Sequence, residues 1–188
     1  LHIVFHSAIA EDNNQFNIND VIDAISQKLI RRHPHVFSDT VVNSNDDITR
    51  NWEYIKLKEG RKSVLEGVPK ALSGLYRAYR IQEKVAKVGF DWSDKKDVWN
   101  KVQEELGELL EAEELGDMDK IEEEMGDLFF ALTNYARFIK VNPENAIRRT
   151  NDKFIRRFQY IEKRLNEMGK DVSQSNLEEM DKYWEEAK

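Results

Sequence analysis

Four carboxylates, at residues 105, 108, 124 and 127, have the types and spacing to share one cation. They belong to two phrases, KVQEELGEL at 101–109 and KIEEEMGDL at 120–128, in which lysine, glutamates, glycine and leucine return in the same order nineteen residues apart. On helices turning ~100° per residue, Glu105 and Glu108 lie one turn apart at the edge of a stripe of Val98, Val102, Leu106, Leu109 and Leu110. Glu124 and Asp127 keep the same offsets beside Ile121, Met125, Leu128, Leu132 and Ile139. Residues 104–127 hold twelve acids and one lysine, Lys120. Like charges at these helical spacings repel by about 0.2–0.5 kcal/mol per pair, so a helix pair built only for stability would intersperse cations. A divalent ion among the acids accounts for the clustering, and an all-carboxylate donor set suits Mg²⁺, with Mn²⁺ as the other hard candidate, rather than zinc. Gly107 and Gly126 sit inside the two acid pairs at a propensity cost of ~1 kcal/mol each, which suggests close approach of a backbone or ligand. The bland alternative is two glutamate-rich solvated faces: a non-catalytic acidic helical interaction or dimerisation module.

Positioning four such groups takes two antiparallel helices joined by a tight turn. The pattern predicts helices over about 94–114 and 119–140, with LGDMD at 115–119 between them and Ser93 or Asp94 as the first cap. Pro143 and Gly169 bracket a further helix over about 143–168, and a short one covers about 176–187. Upstream, the pattern predicts the end of a helix at 1–10, a helix at 20–32 stopped by His33-Pro34-His35, and a polar linker at 38–47. A charged helix at 48–59, a loop at 60–69 and a helix at 70–87 follow. GFDWSD at 89–94 is a turn whose Phe90 and Trp92 suit packing. Three prolines and eight glycines in 188 residues agree with an all-α helical bundle.

Composition removes several functions. A net charge of −7 opposes sequence-independent binding to nucleic-acid polymers. The absence of cysteine excludes disulfides and thiolate metal sites and suits a cytoplasmic setting. No apolar run approaches the ~20 residues of a membrane span, so no membrane partner is expected. Glu-x-x-His pairs of the di-iron bundles are missing. His2 and His6, at i and i+4, are a possible metal pair, but packing or a dimer contact suits that apolar helix better.

Glu105-x-x-Glu108, fifteen residues, then Glu124-x-x-Asp127 resembles the signature of the all-α nucleoside triphosphate pyrophosphohydrolases, and within them the MazG branch. GFDW, KVQEELGEL, KIEEEMGDL, NDKFIRRF at 151–158 and the terminal Tyr183-Trp184 stand in that family's order, over about residues 50–188. The resemblance implies metal-dependent hydrolysis of a nucleoside triphosphate between its α and β phosphates, with Glu105, Glu108, Glu124 and Asp127 as metal ligands. Glu104 and Glu123 flank the ligands and either orient a water, add outer ligands, or are plain exposed charges. Lys101 and Lys120 each precede a ligand by one turn, as phosphate cations or as helix ion pairs. Lys153 and Arg157 match the family's phosphate-binding positions, with Asn151 and Arg156 as weaker candidates. Trp184 matches its base-stacking aromatic, or else is a core anchor.

KLIRR at 28–32 echoes KFIRR at 153–157. On that echo residues 1–40 are expected to be the tail of an upstream module of the same kind, 41–60 a linker and charged helix, and 61–188 the catalytic module. Lys28, Arg31 and Arg32 are then structural or regulatory. Trp99, Phe129, Phe130, Tyr135 and Phe138 widen the apolar arc beyond what one helix pair covers, so a homodimer is expected.

Overall fold

The computed structural model describes residues 1–38 and 44–188, without the side chains of residues 45, 46, 49 and 50. Among the described residues every regular element is helical, and the chain divides into two compact units. The first contains residues 1–68 and 83–91, the second residues 69–82 and 92–188.

In the first unit α1 (His2–Asp12) and α2 (Ile18–Arg32) are followed by a single turn, α3 (Pro34–Phe37), and by α4 (Asn45–Lys58). Asn17 starts α2 with a capping box: its side-chain oxygen accepts from the amides of Asn19 and Asp20, while Asp20 accepts from the Asn17 amide at 2.8 Å. His33-Pro34 ends α2 as expected, but proline at the first position of a new turn permits α3 directly behind it. Residues 39–43 of the expected linker lie outside the described residues. Its end is helical, because the Ser44 hydroxyl accepts from the Asp47 amide at 3.1 Å and starts α4 three residues earlier than expected. Charge is buried here: Lys56 lies 2.7 Å from Glu53 and 3.5 Å over the Trp52 ring. Lys84 donates to the carbonyls of Val64 and Glu66.

The second unit is built on α6 (Lys95–Leu115) and α7 (Met118–Phe138), α8 (Pro143–Glu167) and α9 (Leu177–Glu186). Helix α5 (Gly74–Ala86) starts in it, four residues later than expected, and Gln82 donates to the Phe130 carbonyl at 2.8 Å. Asp94 rather than Ser93 caps α6. Gly116 then takes φ +69, a left-handed conformation that glycine adopts without a Cβ penalty, and Asp117 caps α7 at once. That two-residue connection turns α7 back along α6. Gly169 closes α8 in the same way, and a 3-10 turn at Val172–Gln174 leads to α9. Ile161, Leu165 and Tyr183 form a core between α8 and α9.

The two apolar stripes are only half covered. Val98, Val102 and Leu109 are buried, with Ala112 on α6 and Ala131 and Thr133 on α7. Leu106, Leu110, Met125, Leu132 and Ile139 are exposed in the single chain. Small side chains occupy buried positions of the pair, which leaves larger ones on its flanks. No helix of the described residues is long and apolar enough to cross a membrane.

Candidate metal centre

All the site residues expected from sequence lie in the second unit. Helix α6 presents Glu105 at 6 % exposure, whereas Glu108, one turn on, is open to solvent. Helix α7 brings Glu124, half-buried, to the same place. One carboxylate oxygen from each of the three lies within 4.8 Å of the others. Asp127 stands outside this trio and is exposed. No histidine joins the trio among the described residues; His2 and His6 stack on each other at 6.4 Å between ring centroids.

Electrostatics bind the trio to Lys101. Its ammonium lies 2.6 Å from Glu104 and 2.8 Å from Glu105. The hydrogen bond to Glu104, then that to Glu105, raises the lysine's pKa. Glu108 is pushed up as well, first by loss of water around its carboxyl and then by the charge of Glu105; Glu124 adds to the effect and Lys101 opposes it. Crowded carboxylates that disfavour each other's charge are a donor set that a hard divalent cation relieves. The residues present fit such an ion.

The remaining candidates divide. Glu104 and Glu123 are exposed, the former held by Lys101. Lys120 is exposed and forms no ion pair among the described residues. On α8, Lys153 is exposed and Arg157 half-buried, its guanidinium 5.3 Å over the Trp184 ring while its Nε lacks a hydrogen-bond partner. Trp184 is half-buried against the α8–α9 core, so it does anchor that core, and it also tilts against Phe154 at 5.1 Å. Phe154 was not among the expected site residues, although it lies inside NDKFIRRF and at i, i+4 to Phe158, on which it stacks at 6.4 Å. Neither glycine of the doubled phrase is approached by a neighbour: a Cβ on Gly107 or Gly126 would meet nothing within 4 Å. The close approach expected there is not made within the chain. Gly126 instead borders a groove of about 570 Å³ lined by Leu75, Ala78, Phe129, Phe130 and Ile147.

The chain is similar to the nucleoside triphosphate pyrophosphohydrolase/pyrophosphatase MazG of Thermotoga maritima, 42 % identical over all of this chain and 72 % of that protein. It is 40 % identical to the nucleoside triphosphate pyrophosphohydrolase of Escherichia coli, over 99 % of this chain and 73 % of that protein. A Bacillus subtilis protein, YabN, is 48 % identical over the whole chain and 39 % of its own length. The sequence pattern of the MazG nucleotide pyrophosphohydrolase domain matches residues 1–37 and 94–161, the second stretch containing both acidic phrases and KFIRR. The chain belongs to the MazG nucleotide pyrophosphohydrolase family, a family of hydrolases.

Proposed function

We propose that the chain hydrolyses nucleoside triphosphates between the α and β phosphates, releasing a nucleoside monophosphate and pyrophosphate, with Mg²⁺ as its ion and Mn²⁺ as a substitute. The observation that carries this reading is the meeting of Glu105, Glu108 and Glu124, from both copies of one phrase, within 4.8 Å. These three would hold the ion together with Asp127, which stands one turn beyond Glu124 on α7. When bound, the ion neutralises phosphate charge and makes a water more acidic. The chain's own residues supply the rest. Lys153 and Arg157, one turn apart on α8, bind phosphate oxygens. Lys101, now paired with Glu105, and Lys120, its counterpart on α7, would supply ammonium groups to the phosphates. Glu104 and Glu123, each next to a ligand (Glu105 and Glu124), orient the attacking water. Trp184 stacks on the base, a contact tolerant of base identity.

Leu110 is 54 % and Phe129 52 % exposed, and Trp99 and Phe130 are also open to solvent. Apolar exposure on this scale, on the helices that carry the acids, supports a homodimer as the working unit. In it 61–188 is the catalytic module and 1–40 belongs to a neighbouring module of the same kind. A cytoplasmic protein acting on free nucleotides, with no nucleic-acid polymer or membrane as partner, fits this reading.

Incubation with each triphosphate and Mg²⁺, followed by separation of products, tests the reaction. Monophosphate and pyrophosphate are expected. Diphosphate and orthophosphate would place the cleavage elsewhere and end the proposal, and no product at all would leave the acidic interaction module as the better account. Light scattering over a dilution series tests the dimer; full activity at the monomer mass of about 22 kDa removes it as a requirement.

A further inference from the structure

The echo of KFIRR in KLIRR places Lys28 opposite Lys153, Arg31 opposite Arg156 and Arg32 opposite Arg157. In both helices the lysine and the last arginine stand at i and i+4, hence on one face. Their partners differ. In α8 the Arg157 Nε has no hydrogen-bond partner and Lys153 pairs with no acid among the described residues. In α2 the corresponding fork is filled: Arg32 donates through Nε at 3.0 Å and through Nη2 to the Glu59 carboxylate, and Arg31 donates through Nε at 2.6 Å to its other oxygen.

Glu59 is an unexpected residue to find there. It follows the last residue of α4, where the helix dipole disfavours an acid. Its carboxylate is nonetheless largely buried between two guanidinium groups, the Arg32 side chain being 13 % exposed and Glu59 17 %. Chiefly through the Arg32 hydrogen bond, its pKa is held down at about 2. A forked guanidinium recognises carboxylate and phosphate oxygens through the same two parallel donors.

We propose that Arg31 and Arg32 form a second oxyanion seat of phosphate-binding type, and that the chain's own Glu59 carboxylate occupies it. The matching of this seat to Lys153–Arg157 rests on the phosphate role proposed for those residues; the Arg–Glu59 geometry does not. A tethered carboxylate acts at an effective concentration of millimolar or above, so free phosphate at lower concentration does not displace it. The first unit thus keeps the cations of the repeat while closing them to phosphate.

The test follows the Arg32 side-chain Nε–H signal by NMR in the full chain, with chelator present, during titration with inorganic phosphate. In the wild type the signal should stay in place. In Glu59→Gln it should shift saturably, with affinity at least tenfold above any wild-type response, and Glu59→Asp should fall between. Arg31→Ala added to Glu59→Gln should weaken the response. Should Glu59→Gln not fold, the Glu59→Asp titration carries the test alone. A wild-type shift as large as that of Glu59→Gln overturns the proposal, as does a folded Glu59→Gln or Glu59→Asp without any saturable shift. Nucleotide hydrolysis by Glu59→Gln should stay within about twofold of wild type. The metal-free titration does not depend on that activity, so a wrong assignment of the reaction would leave its result intact.

Discussion

Lys101 and Lys120 occupy the same place in two nearly identical phrases, yet Lys101 lies within 2.8 Å of two glutamates while Lys120 forms no ion pair among the described residues. Their acids differ in the same sense. Glu105, four residues after Lys101, is buried; Glu124, four after Lys120, is half-buried and reaches the cluster from the other side. Glu108 joins the cluster and its counterpart Asp127 does not. Repetition in sequence therefore does not give equivalence in space. The α6 copy supplies the buried carboxylate and an internal cation that neutralises it, and the α7 copy supplies carboxylates without such a cation. In the metal-free chain Lys101 provides part of the positive charge that an ion would provide.

The comparison breaks most severely at Glu105. Glu105→Gln keeps the shape but removes the buried charge from the centre of the trio. Loss of a ligand should cost at least as much as loss of a supporting group, so a fall in kcat/KM on the order of 10²–10³-fold is expected. Asp127→Asn should cost less, because Asp127 stands outside the trio. Mg²⁺ titration by calorimetry should show the same order of affinities. Equal losses in the two variants would mean that the two phrases are equivalent once loaded.

Lys101→Ala and Lys120→Ala sharpen the contrast through stability. Breaking a buried ion pair costs about 3–5 kcal/mol, but Lys101 is 37 % exposed and screened, so ~1–2 kcal/mol is the reasonable loss in chelator. Lys120→Ala should change stability by less than ~0.5 kcal/mol. Denaturant midpoints measure both. Saturating Mg²⁺ should close most of the gap, since the ion then neutralises Glu105. A gap that persists in Mg²⁺ would make the Lys101 pair a permanent structural contact.

Much of this contrast was beyond the reach of sequence. Helix limits were legible because Asn17, Asp94, Asn142 and Asn176 cap in the ordinary way, and the α6–α7 turn because Gly116 permits its left-handed backbone. The acid pairs were legible because helical periodicity is local. Which acid would be buried was not, since that depends on how α6 and α7 rotate against each other. The same is true of Leu106 and Leu110, which share a stripe with Leu109 yet remain exposed. The role of Glu59 was illegible for a related reason. Its partners lie 27 and 28 residues away, far beyond any spacing that helical periodicity can pair.

Smaller effects are expected at the two glycines. A methyl group at either position meets nothing in the chain, so Gly107→Ala and Gly126→Ala should each stabilise the folded chain by ~0.5–1 kcal/mol through helix propensity. Their consequences for assembly should differ. Gly126 borders the groove lined by exposed Phe129 and Phe130, apolar surface that the proposed dimer would cover, and Gly107 does not. Gly126→Ala should therefore weaken association in light scattering, and Gly107→Ala should not. Stabilisation by both without any change in association would show that neither glycine serves an approach between chains.

The smallest effects are in the pH dependence of the metal-free protein, where Glu108 and Glu59 should act in opposite directions. Glu108 is raised above its ordinary 4.5 by loss of water and by Glu105, so the folded chain holds that proton more tightly than the unfolded chain. Its contribution is fully present below pH 4.5 and is lost as pH rises through the raised value. Glu59 is lowered to about 2 by Arg32 and Arg31, so its contribution is present above pH 4.5 and is lost as pH falls toward about 2. Glu108→Gln should flatten the loss on the upper side of 4.5, and Glu59→Gln the loss on the lower side. Unfolding midpoints across pH in chelator, repeated with Mg²⁺, separate the two. The ion should abolish the Glu108 slope by favouring its charged form, while the Glu59 slope, set by arginines of the other unit, should remain. A Glu108 slope unchanged by Mg²⁺ would remove that carboxylate from the metal centre and leave Glu105 and Glu124 as its only paired donors from the two phrases.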